Sequence, residues 1–339
     1  MTSSALGLIQ RLGTTMSNGR TSALKNNGGD ESCPSEEVDD ALALLPQYLR
    51  VYVSHYHDDF YVAKSFDPRL VAQLVCEGFL PIAGSSRFLL PKLHLERCVL
   101  QLRPHSNLHI SKSTRKKSKR FLLSINEAFD DVVKGCHAQH GINWLFPPIV
   151  NAFRALQKET VDHGGCQAQL VENDSFQPSG TIPVRFYSVE IWNAATGELA
   201  GGELGYSVGG IYSSLTGFTN QDAAGSVQLA ALGKLLLQCG FIEWDLGMEM
   251  EYKKQLGAGL MARSVFVCEV HRTRVENQDL VLRCNGRRNA KEIIDFDRPD
   301  NNALKQNHDL VKSMCGQQKM EVHKNDRTKM IENETMSNV

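Results

Sequence analysis

Residues 184–246 read VRFYSVEIWNAATGELAGGELGYSVGGIYSSLTGFTNQDAAGSVQLAALGKLLLQCGFIEWDL. Strand-like apolar stretches at 184–192, 198–204 and 211–216 are separated by turn residues at 193–197 and a glycine-rich turn ending in Gly209-Gly210. A helix is predicted over 222–238, stopped by Gly240. Strand 241–246 follows, then a short helix over 249–256 and a strand over 265–270. Antiparallel hairpins feeding a β-α-β-α-β tail predict an α+β fold, with one mixed sheet flanked by helices.

Upstream, apolar Phe129, Val132, Val133 and Cys136 recur at helical spacing within a helix predicted over 126–140. Pro148 can open another helix, carrying Ile149, Val150, Phe153 and Leu156. Further up, Asp67 as N-cap and Pro68 at the first helical position start a helix closed by Gly78, and 48–54 alternates like a strand. The predicted organisation is a head and acidic linker over 1–40, a small N-terminal α/β lobe over 41–104, a larger lobe over 105–275 and a polar, largely disordered tail over 276–339. Residues 1–29 hold Arg11, Arg20 and Lys25 without an acid, which reads either as an organellar transit peptide or as a disordered head.

Composition bounds the function. The 339 residues are 42% hydrophobic, enough for a substantial core and unlike a collagen-like or mostly disordered chain. No run approaches the roughly 18 apolar residues of a membrane helix, so no membrane partner is predicted. A formal net charge of -1 excludes a globally basic nucleic-acid binder but leaves local patches open. Nine cysteines, an odd count without a CxxC pair, read as reduced thiols rather than a disulfide framework or zinc site.

Lys112, Arg115, Lys116, Lys117, Lys119 and Arg120 put six cations into nine residues. Such a run is either a solvated face or a phosphate-binding patch acting by counterion release. Gly201, Gly202, Gly205, Gly209 and Gly210 punctuate the hairpins, as turn chemistry or as places where a ligand approaches the backbone. Asp245 ends an apolar strand, where a carboxylate either binds and catalyses or caps the next helix. Trp144 and Phe153 bracket the Phe146-Pro147-Pro148 turn. His105 and His109 lie outside a helix with no glutamate between them, so no metal site is predicted.

Together these motifs resemble the bacterial leucyl/phenylalanyl-tRNA–protein transferase family. The resemblance runs from Phe66-Asp67-Pro68-Arg69-Leu70 and Gly78-Phe79-Leu80-Pro81 through Leu108-His109-Ile110-Ser111-Lys112-Ser113, Gly135-Cys136 and Trp144. It is clearest from Tyr187-Ser188-Val189-Glu190-Ile191-Trp192 through Leu199-Ala200-Gly201-Gly202, Gly205 and Phe218, to Asp245 and Leu256-Gly257-Ala258. It implies an acetyltransferase-like (GNAT-like) lobe, a cytoplasmic monomer and transfer of Leu or Phe from charged tRNA to proteins beginning with Arg or Lys, marking them for degradation. No coenzyme A loop is present and no cofactor is expected. By resemblance Asp245 is the orienting carboxylate, and Trp144 and Phe153 are the aromatics around the terminal adenosine. Gly201, Gly202, Leu215 and Phe218 line the substrate, while Lys112, Arg115, Lys116, Lys119 and Arg120 are the tRNA-binding cations. The chain departs from the pattern where Gly247 replaces a Gln and where Ser214-Leu215-Thr216-Gly217-Phe218 replaces Gly-Glu-Ser-Met-Phe, leaving Leu215 in place of the acid. Glu203 and Glu249 are unmatched acids, one or the other of which is expected to supply the missing carboxylate.

Overall fold

The computed structural model describes residues 63–170 and 180–297. The predicted head and the alternating stretch at 48–54 lie outside the described residues. Helix α1 (Pro68–Cys76) forms as its sequence requires: the Asp67 side chain accepts the Arg69 N–H at 2.8 Å, Pro68 sits at the start, and Leu70, Val71, Leu74 and Val75 are buried. A small hairpin, β1 (Leu80–Ala83) with β2 (Leu89–Lys92), leads into β3 (Glu96–Gln101). After α2 (Lys112–Lys117) and a short 3-10 turn come β4 (Phe121–Ile125), α3 (Phe129–His140), α4 (Pro147–His163) and β5 (Cys166–Leu170).

The stretch 184–246 folds as three long antiparallel strands, β6 (Gly180–Asn193), β7 (Leu199–Val208) and β8 (Ile211–Thr219), then α5 (Ala224–Cys239) and β9 (Glu243–Asp245). Five further elements follow: α6 (Glu251–Leu256), β10 (Gly259–Ala262), α7 (Arg263–Glu276) and, past a loop, β11 (Arg288–Asn289) running into α8 (Ala290–Asp295). The large sheet has the order β10-β3-β9-β8-β7-β6-β4-β11, with β5 also on β6. Its β8–β9 pair is parallel, connected by α5, and its other pairs are antiparallel. This is the mixed sheet flanked by helices that the pattern predicted. Among the described residues no helix is long and apolar enough to cross a membrane.

Strand alternation splits the interior into two layers. Leu204, Tyr206 and Val208 of β7 face one core with residues of α1, α3, α4 and α7. Tyr187, Val189 and Ile191 of β6 face the other with Tyr212, Trp244 and the apolar side of α5.

Three differences from the sequence reading have physical causes. Residues 265–270 are helix rather than strand: Phe266, Val267, Val270, Thr273 and Arg274 are the buried positions, a helical spacing that the valine-rich window hid. The strand β3 falls within 41–104, yet it lies inside the large sheet between β10 and β9. Residues 288–295, within the stretch read as a tail, are strand and helix, and Leu282, Ala290, Ile293 and Ile294 bury against the second core.

Helix α3 crosses the sheet closely over glycines. A β-carbon at Gly202 would come within 2.8 Å of Val132, and one at Gly135 would overlap the Phe218 ring. Gly135→Ala therefore runs against helix propensity: the alanine favours the helix but overpacks the interface. We expect a net loss of about 1–3 kcal/mol, read by urea denaturation, where a stabilised variant would refute the close packing.

Candidate functional site

Pairing of β8 with β9 ends at Ser213↔Asp245, after which β8 continues to Thr219 while β9 stops. The sheet opens there. One residue beyond, β8 carries a bulge: Gly205 pairs with Ser214 and Leu204 with Thr216, so Leu215 is the extra residue. Ser214 thus joins the Glu203 and Gly205 side of the sheet, and Thr216 joins the Leu204 side.

Glu203 is the centre of a polar network on the α5 side. One carboxylate oxygen accepts from Tyr212 at 3.0 Å and Ser214 at 2.8 Å, and the other accepts from Gln228 of α5 at 3.1 Å. The Trp244 indole N–H donates to Ser214 Oγ at 2.9 Å. Burial pushes the Glu203 carboxyl up to about 7, against the pull of its three hydrogen-bond donors. Glu203, Tyr212, Gln228 and Trp244 are buried, whereas Ser214 is half-buried and is the outermost member.

Asp245 lies on the other face, fully buried and held by Arg97 of β3. Arg97 Nε donates to Oδ1 at 3.1 Å, Nη2 contacts Oδ2, and the Gly247 N–H donates to Oδ1 at 2.9 Å. The guanidinium lies 4.7 Å over the Phe266 ring of α7, so the pair is closed off above as well. The structure therefore gives Asp245 an internal partner and keeps it away from Glu203. Gly247 sits at φ +75°, a backbone conformation that the glutamine found there in the resembling family would adopt with strain. Lys253, nearly buried, holds this turn by donating to the carbonyls of Leu246 at 2.6 Å and Met248 at 2.7 Å, and burial lowers its pKa. Glu249 is on the exposed turn after β9, paired with Lys254 at 2.9 Å.

The two aromatics part company. Phe153 is in the core, stacked on Phe186 at 5.1 Å, with Trp144 edge-on at 6.3 Å. Half-buried Trp144 lines a cleft of about 190 Å³ with Cys136, His140, Ile142, Asn143, Leu145 and Thr216. His140 closes one wall through Nε2, 2.8 Å from the Gly217 carbonyl oxygen. Burial, opposed by a hydrogen bond with Thr216, raises the Cys136 thiol to about 12, and nearby Glu203 adds to the shift. Gly202 and Phe218 lie in the packing of α3 on the sheet, Gly201 faces Ile191 on the opposite side, and Leu215 is half-buried against the α3-side core.

The cations divide similarly. Lys112, Lys116, Lys119 and Arg120 are exposed. Arg115 donates to the Ile294 carbonyl at 3.3 Å, and Lys117 pairs with Asp222 at 3.0 Å. Sequence reasoning missed the roles of Arg97, Tyr212, Ser214, Gln228 and Lys253. For Arg97 a signal existed, a charge leading directly into the apolar run Cys98, Val99 and Leu100.

These features define a sheet-based lobe, open where its parallel strands part and basic on one flank. A family model described as leucyl/phenylalanyl-tRNA protein transferase matches residues 101–167 and 183–271. Curated relatives of that description include the Desulfatibacillum aliphaticivorans protein, 30% identical over 174 residues covering 50% of this chain and 64% of the relative. The Pseudomonas paraeruginosa protein is 27% identical, covering 50% and 66%, and that of Saccharophagus degradans 25%, covering 56% and 69%. Among solved structures, a C-terminal domain from an Agrobacterium fabrum protein covers 56% of this chain and 67% of its own, at 10% identity and a TM-score of 0.27, too loose to bear on fold or function. Residues 101–167 and 183–271 are therefore similar to leucyl/phenylalanyl-tRNA protein transferases. The chain spans just under two thirds of the first two of these relatives.

Two expectations follow from the buried charges. Arg97→Met alone should cost about 3–5 kcal/mol in denaturant unfolding by stranding a buried Asp245, while Arg97→Met combined with Asp245→Leu should recover much of it. No recovery would mean that the pair is not a closed unit. Stability should also fall with rising pH. Burial raises the folded-state carboxyls of Glu203 and Glu243 to about 7, above the roughly 4.3 of an unfolded glutamate, so their contribution is complete below ~4.3 and lost as pH passes ~7. Glu203→Gln should flatten the pH 5–8 dependence of the urea midpoint, and an unchanged slope would contradict this.

Proposed function

We propose that this protein moves Leu or Phe from charged tRNA to the N-terminal α-amine of an acceptor protein, tagging it for degradation. The Arg- or Lys-initiated acceptors implied by the resemblance are the first candidates. The observation that carries the reading is the opening between β8 and β9 in a lobe similar to this family, beside a cleft walled by Trp144. An aminoacyl ester is already activated, so the protein must orient the amine, take up its proton and stabilise the oxyanion. A free α-amine, with a pKa of about 7.7–8, is partly neutral at physiological pH.

In this reading Trp144 stacks on the terminal base, a contact of roughly 1–3 kcal/mol, and Phe153 supports it from the core. Exposed Lys112, Lys116, Lys119 and Arg120 take the tRNA backbone, while Arg115 fastens α2 to the Ile294 carbonyl. Glu203 is the carboxylate whose proton affinity suits the amine, Asp245 pins β9 to β3, and Glu249 stands on the rim. A second reading, a tRNA-binding adaptor without catalysis, is favoured by the Arg97 that closes Asp245 and by Leu215 in place of the family acid.

Transfer can be measured directly, with tRNA carrying radiolabelled Leu or Phe and peptides beginning with Arg, Lys, Asp or Glu. Label in a peptide is expected. Lys116→Gln with Lys119→Gln should weaken tRNA binding and make the slope of log K against log salt shallower by about 1–2. Charged tRNA bound without transfer to any peptide would move the protein to the adaptor reading.

A further inference from the structure

We infer that Ser214 is a catalytic residue of this transfer, relaying the acceptor amine's proton to Glu203, a pair of groups with which this chain replaces the acid and amide of its relatives. The inference rests on the transferase reading above. Its grounds are geometric. Glu203 is too buried to meet an amine, and Ser214 is the half-buried member through which its network reaches the surface. The hydroxyl is aligned for relay: Trp244 Nε1–H donates to Oγ at 2.9 Å, so Oγ directs its own proton to Glu203 at 2.8 Å and keeps a lone pair for an incoming N–H.

Position supports the same conclusion. Ser213 is the last β8 residue paired with β9, and Ser214 is the next, at the carboxyl end of the parallel pair where the sheet parts. That parting joins the two faces. The Trp144 cleft, with Thr216, opens on one, and the Glu203 network lies on the other, yet Glu203 is near enough to perturb Cys136 of the cleft wall. An ester held at the cleft and an amine arriving from the opposite face can meet at this opening.

The step balances without a cofactor. The amine nitrogen attacks the ester carbonyl and the C–N bond forms. An N–H proton passes to Ser214 Oγ as the Ser214 proton passes to the Glu203 oxygen that already accepts it. Collapse breaks the ester C–O bond, and the proton returns along the same path to the departing ribose oxygen. The transfer rate should rise as pH passes about 7, where Glu203 becomes ionised and able to accept.

The test uses the full chain, charged tRNA and whichever peptide the wild type accepts. Ser214→Ala should lower kcat about 100-fold or more, leaving the peptide KM and charged-tRNA affinity within about two-fold. Ser214→Thr should keep most of the rate and Ser214→Val should not, and this isosteric pair decides the matter if the alanine variant fails to fold. Glu203→Gln should remove the rise near pH 7 and leave only that of the acceptor amine, at about pH 8, a change that a purely structural role would not produce. Wild-type transfer with Ser214→Ala or Ser214→Val matching its rate and pH profile would overturn the relay alone. No wild-type transfer to any peptide would overturn the transferase reading, and the relay with it.

Discussion

The Arg97–Asp245 pair fixes the geometry on which the rest of the site depends. Strand β9 is only three residues long, and the pair ties its last residue to β3 from inside the sheet. A buried ion pair contributes little net stability over a well-packed apolar pair, but leaving either member alone is costly, so it enforces one arrangement. Here that arrangement stops β9 at the point where β8 continues. Without a fixed end to β9, the opening at Ser214 would have no defined position.

A second constraint is the bulge at Leu215. Regular alternation would place residues 214 and 216 on the same face of β8. With one extra residue between them, Ser214 reaches the Glu203 network and Thr216 reaches the Trp144 cleft. A single strand thereby serves both sides of the opening. The residue at the bulge itself packs against the first core, which accounts for an apolar Leu215 at a position read from sequence as an acidic site.

What could be read in the sequence was mostly local. Asp67-Pro68 and Gly78 delimit α1, the proline pair at 147–148 opens α4, one residue before the expected Pro148 start, and the spacing of the hairpins is set by their turns. Residues 265–270 read as a strand because Val265 and Val267 dominate a short window, whereas the buried positions of α7 follow a helical period through Arg274. The two-residue β11 and the short α8 carry no period long enough to detect, and they exist through pairing with β4 and burial of Ile293 and Ile294. The site was legible as a list of acids, aromatics and cations but not as an arrangement. Arg97 and Asp245 are 148 positions apart, and no local pattern says that one will close over the other.

In the proposed transfer Glu203, rather than Asp245, is the carboxylate that acts. Asp245 occupies the position implied by family resemblance, but it is fully buried and paired with the Arg97 guanidinium, so it presents no oxygen to an arriving amine. Glu203 has no family counterpart and no cation in contact. Its three hydrogen bonds come from neutral donors, and burial raises its carboxyl to about 7 against those bonds and the charge of Lys253. A proton acceptor works best when its pKa lies near the working pH. Desolvation by Tyr212, Trp244 and the α5 layer gives Glu203 that value while denying it direct access, and a hydroxyl at the surface of the network is the group needed to connect it to a substrate.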